Sequence, residues 1–99
     1  MIKGFVGCKV KKDRDLEPIL LKLRSHAMQY RGFKGMENLV GEENAYVVTM
    51  VSTWDTLEDW KSWAQSRITQ ELLRQAEALL MEEPRVTTYR MMMPAVRWV

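Results

Sequence analysis

His26 is the one imidazole in this chain of 99 residues. An imidazole changes charge near neutrality, so it suits proton transfer to or from a bound molecule. It also sits at the edge of an apolar helical stripe, where a half-buried structural role competes with that of a base. Arg90 stands beside Tyr89 as the one charge inside the last strand-like run. A guanidinium there can stabilise a phenolate or a developing oxyanion, or simply pair with an acid. His26 and Arg90 are the candidate catalytic residues. The candidate substrate-binding residues are aromatic or soft: Trp54, Trp60, Trp63, Tyr46, Tyr89 and Met50. Three of the four tryptophans fall within residues 54–63. Indoles this dense fill a core or line an apolar pocket, and Trp60 and Trp63, three apart, share one side of a helix. Packing or a dimer contact is the competing use of Trp60. Tyr46 and Tyr89 can hydrogen-bond a phenolic substrate, although strand tyrosines usually pack. Met50 and the run Met91-Met92-Met93 supply thioethers that adapt to irregular apolar surfaces, either a dimer interface or a forgiving cavity.

Other chemistries lack their parts. Cys8 is the only cysteine, with no second ligand at metal spacing and no evident base, so it reads as a small buried apolar residue. No Gly-rich phosphate loop, Ser-His-Asp set or Cys/His cluster appears, and no metal site or organic cofactor is expected. The formal charge of +2 is nearly balanced, so neither nucleic acid nor an anionic membrane is an expected partner. Lys9, Lys11, Lys12 and Arg14 read as a solvated strand end. No signal peptide or membrane-length apolar run is visible, and a cytoplasmic protein is expected. With 46% hydrophobic and 28% charged residues, residues 1–99 make one globular domain.

The elements that must position these side chains are legible. Ile2 to Val10 reads as a strand. Asp13 or Asp15 can cap a helix whose first turn tolerates Pro18 and whose stripe is Leu16, Ile19, Leu20, Leu23, Ala27 and Tyr30. Gly32 fits the position just past that helix. Phe33 to Val40 is a second strand, Gly41 to Asn44 a turn, and Ala45 to Trp54 the strongest strand. Asp55 with Glu58, or Thr56 with Asp59, caps the tryptophan helix. Ser66 caps a further helical piece with the stripe Ile68, Leu72, Ala76, Leu79 and Leu80, ended by Pro84. Arg85 to Met92 is the last strand, closed by Pro94. The order β-α-β-β-α(α)-β predicts an α+β, ferredoxin-like antiparallel sheet with helices on one face. Yet the third strand is apolar on both faces, with Val47 and Val51 opposite Tyr46, Val48, Met50 and Trp54, and the last strand sets Val86 and Met92 against Tyr89 and Met91. A solvated face would be polar, so a second copy of the chain is the expected cover, giving a homodimer.

Gly32-Phe33-Lys34-Gly35-Met36 after the first helix, Thr53-Trp54 closing a strand, and Trp63-Ala64-Gln65-Ser66 together resemble the antibiotic biosynthesis monooxygenase family, over about Ile2 to Met91. The resemblance implies a dimeric α+β barrel in which two such sheets pack face to face. It also implies oxidation of an aromatic or quinol-like molecule by dioxygen without metal or flavin. The family's haem-degrading branch uses an asparagine in the first strand, a tryptophan matched here by Trp63, and a histidine ligand ten residues on. Leu73 stands at that last position and the first strand has no asparagine, so haem cleavage by that route is not implied. A cofactor-independent monooxygenase is therefore the leading expectation, acting in a cavity with Trp63 on its wall. The alternatives are a dimeric binder of an apolar metabolite or haem, and an isomerase or lyase using His26 or a carboxylate as base.

Overall fold

The computed structural model of the chain describes residues 1–92; Met93 and Pro94 lie outside them. Seven elements follow in the order β1 (Ile2–Lys9), α1 (Glu17–Ala27), β2 (Phe33–Val40), β3 (Val47–Trp54), α2 (Leu57–Ala64), α3 (Arg67–Glu77) and β4 (Arg85–Arg90). The strands form one antiparallel sheet in the order β2-β3-β1-β4, which is the ferredoxin-like arrangement expected. Strands β1 and β4 stop short of the expected ends. Val10 leaves the sheet to make a bridge with Leu80, at the end of the segment after α3.

Register decides which side chains the helices cover. Ile2 lies opposite Trp54, and Val6 opposite Met50. Alternation therefore puts Ile2, Gly4, Val6 and Cys8 on the same face as Val48, Met50, Ser52 and Trp54. That face meets Leu16, Ile19, Leu20, Leu23 and Ala27 from α1, Trp63 from α2, and Leu72 and Ala76 from α3 in one hydrophobic core. The opposite face carries no helix. Phe5, Val47, Thr49, Val51 and Tyr89 share it with Lys3, whose Nζ donates to Thr53 Oγ1 at 2.8 Å.

Caps explain where the helices begin. Thr56 accepts from the Asp59 N–H at 3.1 Å, which selects the second of the two expected caps for α2. Asp55 pairs instead with Lys34 at 3.4 Å. Ser66 caps α3 as expected. The start of α1 differs: its cap position is Leu16, which has no side-chain acceptor. Asp13 sits at φ 62° in the preceding turn, and the Asp15 carboxylate accepts from the Glu17 N–H at 3.0 Å. Gly32 does not close α1 directly, because the helix ends at Met28. It turns the chain into β2 at φ 81°, and its carbonyl accepts from the Asp55 N–H at 2.9 Å. Helix α3 buries Thr69 rather than the expected Ile68, which is 55% exposed.

Gly4 is a close approach. A methyl group there would run into the edge of the Trp60 indole, at Nε1 and Cδ1. Gly4→Ala is expected to dislodge Trp60 and cost about 1–3 kcal/mol, as overpacking does. At Gly7 the same methyl meets only the Arg85 carbonyl oxygen, at 3.8 Å, so Gly7→Ala is the matched control. Equal urea midpoints for the two variants would remove Trp60 as the cause.

Candidate functional site

The end of α1 and the start of α3 meet at a hydrogen-bonded pair. His26 lies in the last turn of α1 and Ser66 is the cap of α3. Forty positions apart in sequence, His26 Nε2 and Ser66 Oγ are 3.0 Å apart. Ser66 Oγ has one proton, and its shortest partner is the Trp63 carbonyl oxygen at 2.7 Å. Thr69 Oγ1, at 3.0 Å, is the other acceptor in reach of that proton, and the Thr69 N–H donates to Ser66 Oγ at 3.3 Å. With the proton committed to Trp63, the oxygen accepts from His26, so Nε2 carries the hydrogen in the neutral ring. Nδ1 is then the imidazole's proton acceptor. The Tyr30 ring meets the imidazole edge-on, with centroids 5.0 Å apart.

A cleft of about 590 Å³ opens beside this pair, lined by His26, Tyr30, Ser66, Arg67, Ile68, Glu71 and Leu72. That volume suits a small organic ligand. Its apolar wall is Tyr30, Ile68 and Leu72; its polar groups are the imidazole, a hydroxyl, a guanidinium and a carboxylate. The carboxylate is already engaged: Arg74 Nε donates to Glu71 at 2.9 Å, and a second Arg74 nitrogen donates to its other oxygen. Those bonds hold the Glu71 carboxyl below the usual carboxylate range.

Of the eight residues singled out from sequence, His26 alone is in this cleft. Trp54, Trp63 and Met50 are 0%, 1% and 2% exposed, so they are core. The Trp54 and Trp63 rings lie 5.5 Å apart, and Phe33 meets Trp54 edge-on at 5.3 Å. Trp54 is thus packed between Phe33 and Trp63, Trp63 is itself buried in the core, and the indole N–H of each tryptophan has no partner. The cavity that Met50 borders holds only about 10 Å³, too little for a substrate. Trp60 is half-buried over Gly4. Tyr46 borders a separate groove of about 480 Å³ beside Leu16, Leu20, Asn38 and Val40. Tyr89 is exposed on the helix-free face, edge-on to Phe5 at 5.4 Å.

Arg90 is exposed on β4, opposite Ile2. The sheet order puts β4 at the far edge from β2, the strand that α1 contacts. His26 and Arg90 therefore do not converge. Cys8 is buried, and desolvation pushes its thiol up, away from the thiolate. Among the described residues no His, Cys, Asp and Glu group could hold a metal ion, and no helix is long and apolar enough to cross a membrane. Sequence reasoning missed Arg67 and Glu71 and took Ser66 only as a cap. The spacing of His26 and Tyr30, i and i+4, was the one local signal of a shared surface.

No family model and no curated protein matches this sequence. Solved structures do match. One from Deinococcus radiodurans, named as a candidate antibiotic biosynthesis monooxygenase, superposes with a TM-score of 0.85 at 12% identity, covering 100% of this chain and 99% of that one. A second, from Bordetella bronchiseptica and similarly named, gives 0.78 at 23% identity over 93% of this chain and 97% of that one. A conserved protein from Methanosarcina mazei Go1 gives 0.81 at 19% identity over 90% of each chain. At these identities the likeness establishes the fold. The chain is thus a ferredoxin-like domain with the fold of proteins named as antibiotic biosynthesis monooxygenases, as the resemblance in its sequence implies.

Proposed function

We propose that this chain is a small monooxygenase that oxidises an aromatic, phenol- or anthrone-like molecule with dioxygen, drawing its electrons from the substrate and using no organic or metal cofactor. The observation that carries the proposal is the His26 imidazole on the wall of an apolar cleft, its Nε2 held by Ser66 and its Nδ1 left to accept a proton. His26 removes a proton from the acidic O–H or C–H of the substrate. The resulting electron-rich anion reduces dioxygen and is itself oxidised. One oxygen atom bonds to carbon in place of two hydrogens, and the other leaves as water. A methylene thereby becomes a carbonyl with no external reductant. The apolar wall of Tyr30, Ile68 and Leu72 removes part of the anion's water and raises its energy relative to solution.

Turnover of anthrone and 1-naphthol under ¹⁸O₂ tests this. The expected product carries one labelled oxygen per molecule. A product without label would make the domain an isomerase or lyase, and binding without turnover would make it a carrier.

The reading includes a second copy. The helix-free face carries Phe5, Val47, Val51 and Tyr89, with Leu39 half exposed beside them, and packing two such faces together gives the barrel that the sequence resemblance implies. An obligate interface of this kind buries on the order of 2,000 Å² or more. Sedimentation at micromolar concentration is expected to show a dimer; a folded monomer there would remove this part of the reading.

A further inference from the structure

Arg67 opens α3 at the mouth of the His26 cleft. Among the described residues it has no ion-pair partner. The one carboxylate on the cleft wall, Glu71, lies one turn along α3 and feels the Arg67 charge, but its two oxygens are hydrogen-bonded by the Arg74 fork and not by Arg67. Arg67, Arg74 and Glu71 together leave one positive charge, and the group free to present it to a ligand is the Arg67 guanidinium. Its planar donors match a carboxylate in two parallel hydrogen bonds. His26 and Tyr30 line the cleft from the end of α1, and Ile68 and Leu72 line it from α3 beside Arg67.

We propose that the cleft takes an aromatic carboxylate: the ring lies on Tyr30, Ile68 and Leu72, Arg67 fixes the carboxylate at the mouth, and the reacting end is turned to His26. The inference rests on the His26 cleft being the ligand site and adds the charge of the molecule bound there. It also assigns Arg74 a positioning role. By bonding both oxygens of Glu71, Arg74 offsets that carboxylate's charge, so less of it is set against Arg67 and the ligand.

The experiment compares 6-hydroxy-2-naphthoate with 2-naphthol, which shares the ring and phenol but lacks the carboxylate. Affinity is read by ligand fluorescence and location by the proton resonances of the single histidine. The wild-type chain is expected to bind the naphthoate about tenfold more tightly, the scale of one charge-assisted pair in a partly solvated cleft. Both ligands should shift the His26 signals. Arg67→Gln should erase the preference, and Arg74→Gln should reduce it by releasing Glu71. Arg67 and Arg74 are exposed and glutamine suits a helix, so thermal melts of both variants are expected to match the wild type.

Equal affinities in the wild type, or a preference that survives Arg67→Gln, would overturn the carboxylate inference while leaving the cleft intact. If neither ligand moves the His26 signals, the cleft itself is misassigned and both readings fall. If Arg67→Gln fails to fold, the salt dependence of naphthoate binding to the wild type decides. A preference unchanged between low and high salt contradicts an exposed ion pair.

Discussion

Truncating Trp63 to alanine is expected to cost about 3–5 kcal/mol of stability, the range for removing a large buried aromatic side chain. A domain of this size has about 5–15 kcal/mol in total, so the variant should be close to unfolding at body temperature. The reason is its packing: Trp63 is 1% exposed, belongs to the central core and lies 5.5 Å from the Trp54 ring. Trp63→Phe should be far milder. It keeps an aromatic ring against Trp54 and removes a buried N–H that has no partner, so part of the lost contact is offset by a donor that no longer has to be desolvated. Urea unfolding of the two variants checks this. Near-normal stability for Trp63→Ala, with selective loss of ligand binding, would return the residue to a pocket wall.

His26→Gln should leave the fold standing and slow the oxidation by about 10²–10⁴-fold, the usual contribution of a positioned general base. Glutamine can still reach Ser66 Oγ through its amide, so the link from α1 to the cap of α3 is kept. It cannot take a proton. The expected signature is a fall in kcat on anthrone with a melting temperature close to that of the wild type. A variant that turns over at the normal rate would take His26 out of the chemistry. One that melts far lower would make the His26–Ser66 contact structural.

Local physics made the framework readable from sequence. Ser66 is legible as a cap, and the α2 cap narrows to Asp55 or Thr56, because a capping side chain and the N–H three residues on form a short-range pair. The α1 stripe and the four strands follow from periodicity in the same way. What failed depends on contacts between distant segments. Periodicity favoured Ile68 over Thr69 on the buried side of α3, but α3 packs against α1 with Thr69 inward. The tryptophan cluster reads equally as core or pocket, since spacing sets which residues share a side but not what lies opposite. The His26 cleft was invisible for the same reason. Its two walls come from α1 and α3, and only the crossing of those helices brings a histidine to a serine forty positions away. Arg90 and His26 each stand out in the sequence for their chemistry, and the sheet order keeps them apart.

The sheet order also bears on how the chain comes to be folded as it is made. Strand β1 is made before either of its partners, yet it is an inner strand whose neighbours are β3 and β4. Its residue Ile2 must wait for Trp54 on one side and for Arg90 on the other. Until residues 85–90 emerge, β1 has an open edge, and the apolar side chains of α1 have only part of a sheet to cover. Pairings this distant in sequence close large loops before they are rewarded, which slows folding relative to helical bundles of the same length. The nascent chain therefore carries Ile2 and Val6 on an incompletely paired strand until β4 follows, and a factor that shields emerging apolar segments should raise its yield more than it would for a domain built from local contacts.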